Sequence, residues 1–185
     1  LGNWTGFSTK LYSNLFTGDM QGTGSLMTAI QNTIVIALIA AIVSTILGSV
    51  AAIGIHNMRG KMKHAITFMN NIPMLNPDII TGISLFLLFV SLGVTQGYVT
   101  VIIAHIVFCT PYVVLCVMPR LQQMNPNVYE AALDLGATPL QALRKVILPE
   151  LKGSMIRGFI MAFTLSIDDF AVTLFTKGTE GLETL

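Results

Sequence analysis

The sequence predicts an all-α fold, a polytopic bundle of transmembrane helices. Hydrophobic residues make up 53% of the chain and charged residues only 10%, whereas a soluble domain carries about 25% charged residues. Mean hydropathy is +0.73, and the apolar residues are gathered into four spans separated by polar intervals. Such a chain lacks the polar surface that would cover a globule in water, so we expect it to lie in a membrane.

The first span, 26–55, has no charged residue along its whole length. At ~1.5 Å per residue it exceeds the ~30 Å thickness of the hydrocarbon layer, so we expect it to tilt or protrude. Small residues recur along it and would let other helices approach closely in lipid. We therefore interpret it as a packing helix. Its small residues include Ala40, Ser44, Gly48, Ala51 and Ala52.

The second span, 65–92, is interrupted by polar residues and prolines. Within it, Asn76, Pro77 and Asp78 have the residue types preferred at the N-cap and the first two positions of a helix. We therefore expect a broken span and interpret Asp78 as a helix cap. The interrupting residues are Asn70, Asn71, Pro73, Asn76 and Pro77.

The remaining spans are 98–118, which Pro111 should kink, and 155–176. The segment 1–24 is polar with aromatic residues at helical spacing, which is typical of an external helix at the membrane–water boundary. The tail 177–185 is polar.

Lysine and arginine residues predict the orientation in the membrane. Arg59, Lys61 and Lys63 fall in 56–64, and five more lie in or beside 119–154; only Lys10 and Lys177 lie on the other side. Because positive residues favour the cytoplasm, we expect 56–64 and 119–154 to be cytoplasmic. The five are Arg120, Arg144, Lys145, Lys152 and Arg157.

The polar interval 119–154 predicts a pair of helices on the cytoplasmic side. Asn125 and Pro126 suit the N-cap and first position of one helix, which Gly136 should end in a left-handed conformation. Thr138 and Pro139 start a second helix in the same way. We expect Pro149 to limit that helix. One face of the first helix is small and apolar and could press against a groove in another protein; it comprises Val128, Ala131, Ala132 and Leu135.

The order of residues in this interval resembles a known loop. Glu130, Ala131 and Ala132, then Gly136, then the segment 146–149, are spaced as in the EAA loop of ABC-importer permeases, the binding-protein-dependent transport system inner-membrane components. That family pattern has isoleucine where this chain has Val146. The resemblance extends over nearly the whole chain. It implies a type I permease core of six spans, with one before Leu1 and one after Leu185, in a chain that we interpret as an internal piece of a longer one.

The resemblance also implies a mechanism and partners. The first helix of the loop would be a coupling helix that docks on a dimer of cytoplasmic ABC ATPase subunits, which would bind ATP and Mg²⁺. A second permease subunit and an extracytoplasmic solute-binding protein would complete a bacterial inner-membrane importer. The residues assigned to ATPase coupling are Glu130, Ala131, Ala132, Asp134, Gly136, Leu148 and Pro149.

Two adjacent acids interrupt the last apolar span. Asp168 and Asp169 lie about 20 Å from its cytoplasmic end at the helical rise, and a charge at that depth costs at least a few kcal/mol unless it faces water, a partner or a substrate. Asp169 shares a polar face with Ser166 and Thr173, so we expect Asp169 to line a translocation path. Asp168 points about 100° away and is expected to cap, pair or line the margin of the path.

The segment around these acids, Ser-x-Asp-Asp-Phe, resembles the spermidine/putrescine branch of the family. An acidic cavity would suit an organic polycation, and Phe163 or Phe170 could add cation–π contacts. The alternatives are the same class of permease with another solute (ferric iron, thiamine or an anion), or a secondary transporter that needs no ATPase. An acid pair bonded within the helix bundle is the purely structural alternative.

Several classes of function have no support in the sequence. There is no phosphate-binding G-x-x-x-x-G-K-[ST] loop, so we expect no ATP hydrolysis by this chain and no catalytic residue. There is no metal-ligand spacing and no basic arm for nucleic acid. Cys109 and Cys116 are seven residues apart on one helix face, too far for a disulfide. The three histidines are scattered, and we interpret His105 as structural.

Overall fold

The computed structural model describes residues 26–75, 78–125 and 127–178, which are almost entirely helical and contain no strand. The α-helices are α1 (Leu26–Asn57), α2 (Gly60–Leu75), α3 (Asp78–Ser91), α4 (Tyr98–Gln123), α5 (Asn127–Asp134), α6 (Pro139–Ala142), α7 (Leu148–Asp168) and α8 (Ala171–Thr176), with a π-helical turn at Leu143–Ile147. Four expectations lie outside these residues: the interfacial segment 1–24, the cap at Asn76 and Pro77, the role of Pro126, and the tail beyond Gly178.

Helix α4 is the central element, because α1, α2, α3, α7 and α8 all contact it. The side chain of Val113 in α4 lies between a glycine of α1 and a glycine of α7. A β-carbon built on Gly48 of α1 would lie 2.7 Å from Val113 Cβ, and one built on Gly158 of α7 would lie 3.1 Å from Val113 Cγ1. The hydroxyl of Ser44 donates to the carbonyl of Ile106 across the same interface. The small residues of α1 therefore pack against α4, as the sequence predicts.

Two helices among the described residues, Met27–Asn57 and Tyr98–Gln123, are long and apolar enough to cross a membrane. Helices α2 and α3 pass the same test together, with a bend of 107° between them. The second span is therefore broken, as expected, but Pro73 lies inside α2 and does not end it.

The fourth expected span, 155–176, is not one helix. Helix α7 ends at Asp168, Asp169 is extended with φ −81° and ψ 104°, and α8 starts at Ala171. The prediction of an unbroken span was therefore wrong. The physical reason is that the Asp169 side chain accepts a hydrogen bond from the Val172 N–H (3.3 Å), which makes it a cap for a new helix.

The expectation that Pro149 limits the second cytoplasmic helix was also wrong. Pro149 lies in the first turn of α7, and the chain is helical from α6 through the π turn into α7. The backbone N–H of Leu148 donates to the carbonyl of Leu143, five residues earlier. This wider turn accommodates the proline, whose missing N–H would interrupt a regular ladder of hydrogen bonds.

Candidate functional site

The helix pair α5–α6, within the polar interval 119–154, is fixed by three local motifs. Asn125 caps α5: its side-chain oxygen accepts from the Asn127 N–H at 3.0 Å. At the other end, Gly136 has φ +85°, its N–H donates to Leu133 O at 2.9 Å, and the Ala137 N–H donates to Ala132 O at 3.1 Å. These two bonds form a Schellman motif, which confirms the predicted left-handed glycine.

Thr138 starts the next helix through a capping box. Its hydroxyl accepts from the Gln141 N–H, and the Gln141 side chain accepts from the Thr138 N–H, with Pro139 at the first helical position. This confirms the predicted restart at Thr138 and Pro139. The turn between α5 and α6 is consequently a defined structure that holds the two short helices at a fixed angle.

The helix pair presents apolar side chains outward. Leu135 is 89% exposed and Leu140 is 73% exposed, although both lie in the polar interval where lipid contact is not expected. The coupling residues predicted from the sequence differ in their exposure. Glu130, Ala131, Asp134, Gly136 and Pro149 are exposed, whereas Ala132 and Leu148 are half-buried.

A second polar site lies at the break between α7 and α8. Asp169 is 8% exposed, its Oδ1 caps α8, and its Oδ2 is buried with no hydrogen-bond partner among the described residues. Ser166, one turn earlier, and Thr173, one turn later, are also buried. The fold therefore brings together three of the four residues that the sequence predicts for the path.

The fourth predicted residue, Asp168, is exposed on the surface of α7. The contacts of the two acids differ from the expectation, because Asp169 and not Asp168 forms a helix cap; that Asp169 lines the path stays a prediction. The cause is the helix break, since Asp169 leaves the helical conformation and turns its carboxylate back over the first turn of α8.

His105 of α4 completes the cluster and is 1% exposed. Its Nδ1 lies 2.8 Å from Ser166 Oγ and its Nε2 lies 2.8 Å from Thr173 Oγ1. Nε2 is also 3.8 Å from Asp169 Oδ2. The sequence analysis missed this residue by treating the three histidines as scattered. The signal was its position inside an apolar span, where an ionisable side chain needs a partner.

Asp78 is the next acidic residue around the break. It is exposed at the start of α3, one turn before Gly82. Helix α3 packs tightly on α8, because a β-carbon at Gly82 would lie 3.2 Å from Val172 Cα. The bent α2–α3 pair and the broken α7–α8 pair therefore meet, and their carboxylates share one region of the bundle.

The fold and these two sites define a helical integral membrane protein. It has an exposed, capped helix pair in its polar interval and an acidic break in its last helix. Residues 44–185 match the family described as "Binding-protein-dependent transport system inner membrane component". The chain belongs to this family.

Curated relatives cover most of the chain. It is 39% identical over 176 residues to the "Spermidine/putrescine transport system permease protein PotC" of Escherichia coli K12 and 37% identical over 176 residues to that of Haemophilus influenzae. It is 37% identical over 182 residues to the "Putrescine transport system permease protein PotI" of Escherichia coli K12. Each match covers 95% of this chain, which spans 65%, 66% and 63% of the three relatives, respectively.

Proposed function

We propose that this chain is the permease subunit of an ATP-driven importer of polyamines such as putrescine and spermidine. The observation that carries the proposal is the acidic break, where the buried Asp169 and the exposed Asp168 interrupt an apolar span and Asp78 begins the helix that packs on α8. A polyamine carries several ammonium groups that would neutralise these carboxylates. The named functions of the relatives support the same class of solute.

The translocation path would run beside α7 and α8 and include Asp168, Asp169, Ser166 and Thr173. Asp168 is exposed and would meet the solute first. Asp169 is 8% exposed in the described conformation, so opening the path must expose its carboxylate to the solute. Binding of an ammonium group would compensate the cost of exposing this carboxylate to an apolar environment.

The exposed helix pair would dock on one subunit of a cytoplasmic ATPase dimer. Leu135 and Leu140 provide apolar contacts, and the Schellman motif holds α5 in a fixed orientation. ATP and Mg²⁺ would bind to the ATPase. A second permease subunit and an external solute-binding protein would complete the importer, with 56–64 and 119–154 on the cytoplasmic side of the inner membrane.

The test is uptake of labelled putrescine and spermidine into vesicles. The vesicles contain the full-length protein with its neighbouring ATPase, permease and binding-protein subunits. We expect uptake that requires ATP. Uptake that proceeds without the ATPase would instead identify a secondary transporter. An assembled complex with active ATPase and no polyamine uptake would overturn the polyamine assignment.

A further inference from the structure

His105 bridges the two helices on either side of the break. Ser166 belongs to α7, Thr173 belongs to α8, and one imidazole ring of α4 contacts both hydroxyls at 2.8 Å. The ring is 1% exposed, so water does not compete for these contacts. A side chain with polar atoms at two ends of a rigid ring is suited to fix the distance between two helix ends.

Counting hydrogens fixes which ring nitrogen donates. The Thr173 hydroxyl donates its one hydrogen to the Asp169 carbonyl at 3.1 Å. With that hydrogen placed on the Asp169 carbonyl, we assign a hydrogen to His105 Nε2, which donates to Thr173 Oγ1. Ser166 has no other hydrogen bond recorded in the described part of the chain, so its hydroxyl is free to donate to Nδ1.

The same chain of bonds ends at Asp169. His105 donates to Thr173, Thr173 donates to the backbone carbonyl of Asp169, and the carboxylate of Asp169 caps α8 through Oδ1. Within the described residues Oδ2 is buried without a donor, and the Nε2 atom, at 3.8 Å, is too distant for a hydrogen bond. A buried charged oxygen without a donor is costly, so this atom is prepared to accept a hydrogen bond from a ligand.

We propose that His105 is a positioning residue for the solute. It holds Thr173, and through Thr173 the backbone of Asp169, so that Asp169 Oδ2 stays free to accept an N–H from a primary ammonium group. This role rests on the proposed polyamine transport. It assigns the specificity of the path to a side chain that does not itself touch the solute in this arrangement.

The test compares two substitutions that each keep one half of the ring's contacts. His105→Gln can place an amide N–H near the position of Nε2, whereas His105→Asn is shorter and reaches only the position of Nδ1. We would measure KM and Vmax of ATP-driven putrescine uptake in the complete complex. We expect His105→Asn to raise KM about tenfold, because a displaced Asp169 Oδ2 would lose one hydrogen bond from the charged ammonium group of the solute. Vmax should be retained. His105→Gln should restore most of the wild-type KM.

A second pair of variants avoids any loss of folding at His105. Thr173→Val keeps the shape of the side chain and removes the hydroxyl that links His105 to Asp169. Thr176→Val is the matched control: Thr176 is buried in the same helix, and its hydroxyl bonds only to the Val172 carbonyl among the recorded contacts. We expect Thr173→Val to raise KM like His105→Asn, and Thr176→Val to leave KM unchanged.

The outcomes separate the two proposals. The positioning role would be overturned if all four variants kept the wild-type KM and uptake. It would also be overturned if the variants lost Vmax and assembly equally while KM stayed unchanged. Either result would leave the transport function intact. No putrescine uptake by the assembled wild-type complex would overturn the proposed function and the positioning role together.

Discussion

Gly48 of α1 and Val113 of α4 are so close that a β-carbon on Gly48 would lie 2.7 Å from the β-carbon of Val113. Val113 is fully buried and β-branched, so it cannot turn away. We predict that Gly48→Ala destabilises the protein by about 1–3 kcal/mol through overpacking. The measurement is the thermal unfolding of the purified protein in detergent.

Gly54 provides the control for Gly48, because it lies in the same helix and no atom of the described part of the chain is within 4 Å of its β-carbon position. Gly54→Ala should be neutral or stabilise the protein by up to about 1 kcal/mol through helix propensity. Equal unfolding temperatures for the two alanine variants would show that α1 and α4 are not in close contact.

We predict that substitutions at Gly136 affect the protein through the backbone conformation that they allow and not through the size of the new side chain. Its φ is +85°, and no atom lies within 4 Å of its β-carbon position. Gly136→Val should cost about 1–2 kcal/mol of left-handed strain and lower coupled uptake. Gly136→Asn should retain most uptake, because asparagine adopts this conformation more readily. Normal uptake by the valine variant would contradict the assignment of a coupling loop.

Leu135 is predicted to contribute to ATPase binding and little to folding. Its side chain is 89% exposed, so Leu135→Ser should change the unfolding free energy by no more than about 0.5 kcal/mol. Loss of an apolar contact in a protein interface should weaken ATPase binding roughly tenfold. The measurement is copurification of the ATPase from detergent extracts. Leu92, which is exposed in the turn after α3, provides the control. Equal amounts of ATPase copurifying with Leu135→Ser and Leu92→Ser would exclude docking at α5.

Asp169→Asn separates the role of charge from that of capping. Asparagine keeps an oxygen that can accept from the Val172 N–H, so α8 should remain capped. We predict at least tenfold lower ATP-driven putrescine uptake, because one charge-assisted hydrogen bond to the solute is lost. Wild-type uptake by an assembled Asp169→Asn complex would assign Asp169 to structure alone. Asp168→Asn, at the exposed neighbour, should produce a smaller loss.

Sequence patterns predicted the helix caps, because a cap depends on residues that are close together in the sequence. Asn125, Gly136 and Thr138 act within a few residues of their own positions, and each forms the cap that its residue type predicts. Small residues such as Ser44 and Gly48 pack against a neighbouring helix, as small residues do in lipid. These features require no knowledge of the tertiary arrangement, apart from the identity of the partner helix.

Features that depend on tertiary contacts were missed or wrong. His105 is separated from Asp169 by more than sixty residues of sequence, and only the packing of α4 on α7 and α8 brings them together. Asn70 was interpreted as an interruption, yet it lies within α2 and its side chain donates to the Pro111 carbonyl of α4 at 3.4 Å. The break at Asp169 was missed because the two acids were interpreted as polar residues on the faces of one continuous helix, although the bond that caps the new helix, from the Val172 N–H to Asp169 Oδ1, is local.

The π turn at Leu143–Ile147 joins α6 and α7 into one helical rod over residues 139–168, about 45 Å long at the α-helical rise. The exposed helix pair lies at one end of this rod and the acidic break at the other. Gly158, pressed against Val113, lies nearer the acidic end. If the rod moved as a rigid body about Gly158, a displacement of the end that carries the helix pair would move Asp168 in the opposite direction through a smaller distance.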